Sequence, residues 1–182
     1  MLSKEIKEAT RSAHQALEKT VILRLKAIRS KEDYTAFLKC FYTYFSQVEK
    51  VVSPYITPEV LPDMDARRNS SFLKADIESL GGCAYDHPKV PALPEVSTPA
   101  QAMGALYVLE GSVAGGPVIV KMLEKNGITS GVSFFSGYGE KTPEMWSAFI
   151  ETLDRALSSE TDKALAVEAA NQTFARFAAV FE

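Results

Sequence analysis

The stretch that decides the fold is MGALYVLEGSVAGGPVIVKML, which runs from Met103 to Leu123. Its apolar residues recur at helical spacing near both ends, which predicts buried helix on either side of the middle. The middle is made of small residues and a proline: Gly111, Ser112, Gly115, Gly116 and Pro117. A glycine inside a helix costs about 1 kcal/mol relative to alanine, and an internal proline costs about 3 kcal/mol. The stretch therefore predicts a helix that kinks in its most apolar part.

The predicted kink would expose a surface that has no Cβ atoms. Gly111, Gly115 and Gly116 share one helix face, so a flat apolar molecule or the backbone of another helix could approach it closely. Close packing of helices through small residues uses the same pattern. Both interpretations stay open for this stretch taken alone.

Composition predicts one soluble domain over residues 1–182. With 182 residues and 46% hydrophobic content, the chain can bury one sizeable core but is short for two. A formal net charge of -3 argues against nucleic-acid binding. Glu110 and Lys121 interrupt the one long apolar stretch, and the N-terminus has no signal pattern, so we expect no membrane segment. Cys40 and Cys83 have no metal-site spacing, which favours a reducing cytoplasm.

Hydrophobic periodicity predicts helix after helix, and no stretch alternates long enough to indicate a strand. The predicted helices are Ser3 to about Lys19, Ser30 to Pro54, Asn69 or Ser71 to Gly81, Thr98 to Gly127, Thr142 to Leu157, and about Glu160 to the C-terminal NQTFARFAAVFE. A proline-bearing loop is predicted from Cys83 to Ser97, and a turn from Phe134 to Gly139. The predicted fold class is a compact all-α domain.

Four of the predicted helices begin with a capping signal. Ser3 is a candidate N-cap for the first helix, and Ser30 to Asp33 form a candidate capping box for the second. Thr98-Pro99 and Thr142-Pro143 each place a threonine before a proline at the first helical position.

One face of the first predicted helix carries Lys7, Arg11, His14 and Glu18, at spacings of four, three and four residues. A neutral imidazole is a good iron ligand, and a carboxylate one turn away can accept its other N–H. Lys7 precedes His14 by about 10 Å of helix rise, which suits a cation beneath the carboxylates of a porphyrin centred on His14. A solvated helix face with light ion pairing explains the same residues.

The histidine count limits the kinds of metal site. His87, the second histidine, lies in the predicted loop beside Pro88 and is interpreted as an ordinary loop residue. A zinc site with several ligands or a di-iron site built on Glu-x-x-His is therefore excluded. A single axial ligand to heme (haem) remains, with His14 as that ligand.

Two segments resemble one known family. KEATRSAH, from Lys7 to His14, resembles the proximal helix of heme oxygenases, and GALYVLEGSVAGG, from Gly104 to Gly116, resembles their glycine-rich distal helix. The similarity extends over the helix order, the Phe134-Phe135 turn and the C-terminal helix. LYVLEGS is most similar to the bacterial branch that makes biliverdin for bacteriophytochromes.

The resemblance implies a role for each matching residue. His14 would be the proximal iron ligand and Glu18 its hydrogen-bond partner. The remaining matches are Lys7 and Arg11 at the heme propionates, Gly111, Gly115 and Gly116 over the distal heme face, Ser112 at the position that organises distal water, and Phe174 and Phe181 as C-terminal aromatic residues near the heme. The implied fold holds heme between the proximal helix and the kinked distal helix.

Three positions depart from the family pattern. Pro117 stands where relatives carry Gln or Arg, and Ser147 and Glu151 stand where relatives carry cations for the propionates. The resemblance therefore leaves the regiospecificity of ring opening undetermined. We also hypothesise that Pro117 leaves the Val113 carbonyl without its helical donor, free to accept from a distal water.

The resemblance implies an enzyme that uses heme as both substrate and cofactor, with O2, and releases biliverdin, carbon monoxide and ferrous iron. No flavin or nicotinamide motif is present and no cysteine cluster could hold an iron–sulfur centre, so electrons are expected from an external reductase or ferredoxin. A heme-binding or heme-transfer protein of the same fold without turnover is the alternative. A helical interaction domain without a cofactor is a third.

Overall fold

The computed structural model describes residues 1–85 and 92–181, and the chain is helical in both ranges with no strand in either. The α-helices of these ranges are α1 (Leu2–Ala9), α2 (Arg11–Ala27), α3 (Lys31–Val52), α4 (Ser70–Ser79), α5 (Pro99–Gly111), α6 (Gly116–Lys125), α7 (Thr142–Ala156) and α8 (Glu160–Ala178). The prediction of an all-α fold is confirmed.

Two of the predicted capping signals form as expected. Ser30 Oγ accepts from the backbone N–H of Asp33 at 3.1 Å, and the Asp33 carboxylate accepts in return from Ser30 N–H at 3.1 Å. Thr98 Oγ1 accepts from Gln101 N–H at 3.2 Å, with Pro99 at the first helical position. Each cap satisfies backbone donors that a helix start leaves unpaired, which fixes where α3 and α5 begin.

The prediction for the first helix is wrong in two respects. Met1, and not Ser3, is the N-cap, because Ser3 donates from its backbone N–H and its hydroxyl to the Asp154 carboxylate at 2.8 and 2.6 Å. The helix also breaks at Thr10 and continues to Ala27 instead of ending near Lys19. The Thr10 hydroxyl donates to the Ile6 carbonyl at 2.6 Å, a local bond that bends helices.

The capping prediction for the seventh helix is wrong as well. Lys141 is its N-cap, and Thr142 is already helical. The Thr142 hydroxyl instead accepts from the Tyr138 N–H at 3.1 Å, which ties the preceding turn to the helix start.

The core is built around the packing of α5 on α8, the most extensive helix pair of the described chain. Gly104 permits this approach, since a Cβ there would lie 2.8 Å from the Cα of Ala166 and closer still to its carbonyl oxygen. Small side chains line both helices at this crossing, so the two backbones come close and bury the most apolar stretch of the chain.

The predicted kink is confirmed. α5 ends at Gly111, a 3₁₀ turn spans Ser112–Gly115, and α6 restarts at Gly116 with Pro117 in its first turn, where a proline costs no hydrogen bond. On length and composition alone, the segment Pro99–Lys125 could cross a membrane, with mean hydropathy 1.4. More than half of it is instead buried against the rest of the protein.

The predicted loop from Cys83 to Ser97 contains no helix where the structure describes it. Its histidine, His87, and two of its prolines, Pro88 and Pro91, lie outside the described residues. Cys40 is half-buried on α3, where burial raises the pKa of its thiol, and Cys83 is exposed.

Candidate active site

A cavity of about 460 Å³ is lined by α1 and α2 on one side and by the kink between α5 and α6 on the other. Six aromatic rings, from α3, α5, α7, α8 and the turn after α6, complete the lining. The aromatic lining residues are Phe41, Tyr107, Phe135, Trp146, Phe174 and Phe177. The cavity is therefore largely apolar, with polar groups confined to its two helical walls.

The first wall carries three of the four residues predicted on one face of the N-terminal helix. Lys7, His14 and Glu18 all line the cavity, and Lys7 is the only cation among the lining residues of the described chain. His14 is exposed to the cavity, and its ring centroid lies 5.2 Å from that of Phe174 on α8. No hydrogen bond joins His14 to Glu18 within residues 1–85. The wall thus presents one imidazole, backed by a phenyl ring, to the open space.

The second wall carries three of the residues predicted on the kinked helix. Gly111, Ser112 and Gly115 line the cavity. A Cβ at Gly115 would have no atom within 4 Å, and one at Gly111 would lie 3.5 Å from the Trp146 ring. Both glycines have helical backbone angles, so conformation does not require glycine at either position. The missing side chain leaves open space at Gly115, and at Gly111 it leaves the Trp146 ring close to the backbone.

Comparison with known proteins identifies the family to which this site belongs. The family Heme oxygenase matches the chain over residues 1–182. The chain belongs to the heme oxygenase family. It is 30% identical over 149 residues to the heme oxygenase of Xanthomonas campestris pv. campestris, which covers 80% of this chain and 87% of that relative.

Two solved heme oxygenases share the fold. The enzyme from Neisseria meningitidis, solved with NO and CO bound, aligns with a TM-score of 0.85 at 24% identity, covering 100% of this chain and 90% of its own. The heme oxygenase from Leptospira interrogans aligns with a TM-score of 0.76 at 18% identity, covering 99% and 98%. The single-domain helical fold is that of the heme oxygenases.

The cavity walls fit the heme that this family name implies. A heme would need a ligand for its iron and room for its ring, and His14 lines the same cavity as Gly111 and Gly115, which have no side chains. No group of three or more His, Cys, Asp or Glu that could hold a bare metal ion occurs among residues 1–85 and 92–181. A single histidine, His14, therefore suits iron that a porphyrin ring already holds.

Arg11, expected at the heme oxygenase propionates, does not line the cavity. It is exposed and pairs with the Glu8 carboxylate one turn earlier on the other side of the break at Thr10. This pairing leaves Lys7 as the cation at the cavity wall.

Gly116, expected over the distal heme face, serves another purpose. It is buried and does not line the cavity, and a Cβ there would lie 3.0 Å from the carbonyl carbon of Phe135 and closer still to its oxygen. Gly116 therefore allows the kink to pack directly on the turn that contains Phe135.

Phe181 also lies away from the heme oxygenase cavity, whereas Phe174 lines it. The Phe181 ring packs on Phe37 at 5.9 Å and on Phe41 at 5.7 Å, and it borders a second cavity of about 380 Å³ beside α2 and α3. Phe41 lines the first cavity, whereas Phe37 and Phe181 do not.

Arg68 lies behind the cavity wall and contacts a lining residue, Ser112, a contact that the sequence did not reveal. It is 7% exposed, and its Nη2 donates to Ser112 Oγ at 2.6 Å and to the Leu109 carbonyl at 3.1 Å. Its Nη1 donates to the Phe134 carbonyl at 2.9 Å. Burial lowers the pKa of Arg68 to about 10, so it remains a cation at neutral pH.

A buried charge cluster lies behind the kink and was equally unforeseen. The Glu110 carboxylate accepts from Arg67 Nη1 at 2.7 Å and from the Tyr138 hydroxyl at 2.9 Å. The Tyr138 hydroxyl accepts in turn from the backbone N–H of Arg68 at 2.9 Å. Burial and the negative charge of Glu110 raise the pKa of Tyr138 to about 12. Because each buried polar group has a partner here, the cluster fixes the kink relative to the Phe134–Gly139 turn.

The hypothesis that Pro117 frees the Val113 carbonyl is wrong. The 3₁₀ turn brings the N–H of Gly116 to that carbonyl, so the carbonyl has a protein donor. The tighter hydrogen-bonding pattern of a 3₁₀ turn replaces the helical bond that proline removes.

Ser147 and Glu151, which replace expected cations, lie on the exposed side of α7. Ser147 Oγ donates to Glu151 Oε1 at 3.2 Å, and neither residue lines the cavity. Trp146, next to them, does line it and stacks on Phe149 with ring centroids 5.9 Å apart.

Proposed function

We propose that the protein binds heme in the 460 Å³ cavity and cleaves it with O2 to biliverdin, carbon monoxide and ferrous iron. The observation that carries this proposal is that His14, Gly111 and Gly115 line the same apolar cavity. Heme is the substrate, and it also supplies the iron at which O2 reacts. A neutral histidine supports this chemistry because it lacks the electron push by which a thiolate ligand favours O–O cleavage.

The chain's own residues hold and orient the substrate in this proposal. His14 would bind the iron. Glu18, which lines the same wall but makes no hydrogen bond to His14 in the structure, would accept the second imidazole N–H and fix the tautomer that ligates. Lys7 binds a heme propionate. Gly111 and Gly115 would let the heme ring lie close to the backbone, which would limit the space open to O2. The apolar lining excludes bulk water from the porphyrin.

Electrons for the reaction come from a separate protein in this proposal. The chain has two cysteines and neither a nicotinamide nor a flavin motif, so an external reductase or a ferredoxin supplies them. We place the enzyme in the cytoplasm, where reduced cysteines and such carriers coexist. The product serves either a bacteriophytochrome or iron acquisition.

The test is the absorption spectrum of the purified protein with one equivalent of hemin, followed in air after a ferredoxin and its reductase are added. Catalase is present, since free peroxide degrades heme without specificity. We expect the heme band to decay as biliverdin absorption grows, and we expect His14→Ala to abolish this. His87→Ala is the matched control, because it removes the other histidine of the sequence. Equal turnover by His14→Ala and the wild type would refute the proposal.

A heme-binding or heme-transfer protein without turnover is the second candidate. It is favoured by the exposed Ser147 and Glu151 on α7, where propionate cations were expected. In the same assay it would give a stable reduced or oxygenated heme spectrum with no biliverdin. A protein that gives no heme band at all would be neither.

A further inference from the structure

His14, the proposed iron ligand, has an aromatic neighbour but no hydrogen-bond partner among residues 1–85 and 92–181. Its side chain is exposed. The Phe174 ring lies beside the imidazole, with the ring centroids 5.2 Å apart and the planes tilted by 30°. This distance is typical of an offset-stacked aromatic pair. The imidazole is therefore positioned in the structure by its packing on one phenyl ring.

We infer that Phe174 is a positioning residue, which fixes the rotation of the His14 imidazole about the bond that joins the ring to its Cβ. This rotation is otherwise weakly restrained, because a torsion between a tetrahedral and a planar carbon has broad minima. A phenyl ring beside the imidazole restrains it, since the imidazole cannot turn far without losing the contact. The plane of the ligand then keeps one direction relative to the cavity. The inference rests on the proposed function, because this direction matters once His14 binds the heme iron.

Phe174 is itself held in place from a third helix. It is 7% exposed and lies on α8, which packs on the α2 helix that carries His14. The Tyr44 hydroxyl, from α3, donates to the carbonyl of Thr173 at 2.9 Å, directly before Phe174. The Tyr44 ring also stacks on Phe177, one turn further along α8, with centroids 4.9 Å apart. Two contacts from α3 therefore fix the backbone on which Phe174 stands.

The surroundings of Phe174 differ from those of the phenylalanines that follow it. Phe177 and Phe181 both pack on the Phe41 ring, at 4.9 and 5.7 Å, and belong to the aromatic core. Within the described part of the chain, the aromatic contact of Phe174 is with His14 alone. Both members of that pair line the 460 Å³ cavity. The ring of Phe174 is thus directed to the ligand and not to the core.

The first measurement is the proton NMR spectrum of the imidazole rings in the protein without heme. The chain has two histidines, so His87→Ala identifies the signals that belong to His14. A phenyl ring displaces the resonances of nearby protons through its ring current. Phe174→Leu should therefore shift the His14 ring-proton signals. Phe181→Leu, the matched control, should leave them in place, because Phe181 does not line the cavity.

The second measurement is the proton NMR spectrum of the ferric heme-loaded protein with cyanide. The spread of the four heme methyl resonances follows the direction of the axial imidazole plane. We expect a changed spread in Phe174→Leu, the wild-type spread in Phe181→Leu, and the wild-type spread again in Phe174→Tyr, which keeps a ring. Nuclear Overhauser effects between the heme and Ile119, which lines the cavity from α6, should stay the same in all variants and show that the heme has not moved.

Thermal unfolding without heme shows which variants fold, and Phe174→Met replaces Phe174→Leu if the latter does not. Unchanged His14 signals or an unchanged methyl spread in the folded variant without the ring would overturn the inference and leave the proposed function intact. Altered Overhauser effects to Ile119 would do the same, because the heme and not the imidazole would then have turned. A wild-type protein that binds no heme would overturn both.

Discussion

Gly115 and Gly116 are adjacent, yet alanine should affect them in opposite ways. At Gly115 the new Cβ has no neighbour within 4 Å and the backbone is helical, so the apoprotein should keep its stability or gain about 0.5–1 kcal/mol. At Gly116 the Cβ would overlap the Phe135 carbonyl oxygen. Because this oxygen belongs to the backbone, it cannot move aside as a flexible side chain could. Overpacking of this kind costs about 1–3 kcal/mol. For a chain of this size, that lowers the melting temperature by about 2–12 °C.

Heme binding should show the reverse order. In Gly115→Ala the methyl group enters the cavity that His14 also lines. An overpacking cost of about 1–3 kcal/mol against bound heme corresponds to roughly 5- to 150-fold weaker binding. Thermal unfolding of the apoproteins and titration with hemin measure the two effects separately. Wild-type heme affinity in Gly115→Ala, or a wild-type melting temperature in Gly116→Ala, would refute the assignment of one glycine to the cavity and the other to the core.

Three further predictions concern charge and packing. Lys7→Ala should weaken heme binding measured by titration, whereas Arg11→Ala should leave it near the wild-type value, because only Lys7 lines the cavity. Gly104→Ala should lower the melting temperature, since its Cβ would meet the Ala166 backbone at 2.8 Å; a wild-type value would contradict the close approach of α5 and α8. Burial raises the pKa of Glu49 above its ordinary 4.5, so the folded state binds this proton more tightly than the unfolded state. The free energy of unfolding should therefore fall as the pH rises from 4.5 through the raised pKa. Urea unfolding at several pH values measures this fall, which should be smaller in Glu49→Gln.

Helical spacing allowed one wall of the site to be predicted from the sequence. Lys7, His14 and Glu18 fall at helical intervals, and the short break at Thr10 does not disturb their common face, so counting residues placed them correctly on one wall. The kink could also be predicted, because the energetic cost of glycine and proline inside a helix depends on the local backbone alone. Where the backbone is regular, distance along the chain converts directly into position in space.

The rest of the site depends on contacts that spacing does not encode. Arg68 follows another arginine in a segment without periodicity, and its partners Ser112 and Phe134 are distant in sequence. Gly115 and Gly116 fall on nearly the same helix face, so only the position of the Phe135 turn separates their roles. Arg11 shares the helix face of His14 but pairs with Glu8. The sequence does not determine whether Arg11 binds Glu8 or a heme propionate.

The contact between His14 and Phe174 joins one of the first helices to be synthesised with the last. The α2 helix packs on α8, and so does α5, which leads into the kink. A growing chain that has not yet reached α8 lacks the helix that brings both walls of the cavity together. Heme binding must therefore wait until α8 has been made and has folded, and a chain without α8 can carry an exposed His14 without trapping the porphyrin. Loss of the last helix would leave both walls present in the chain but unable to form the cavity.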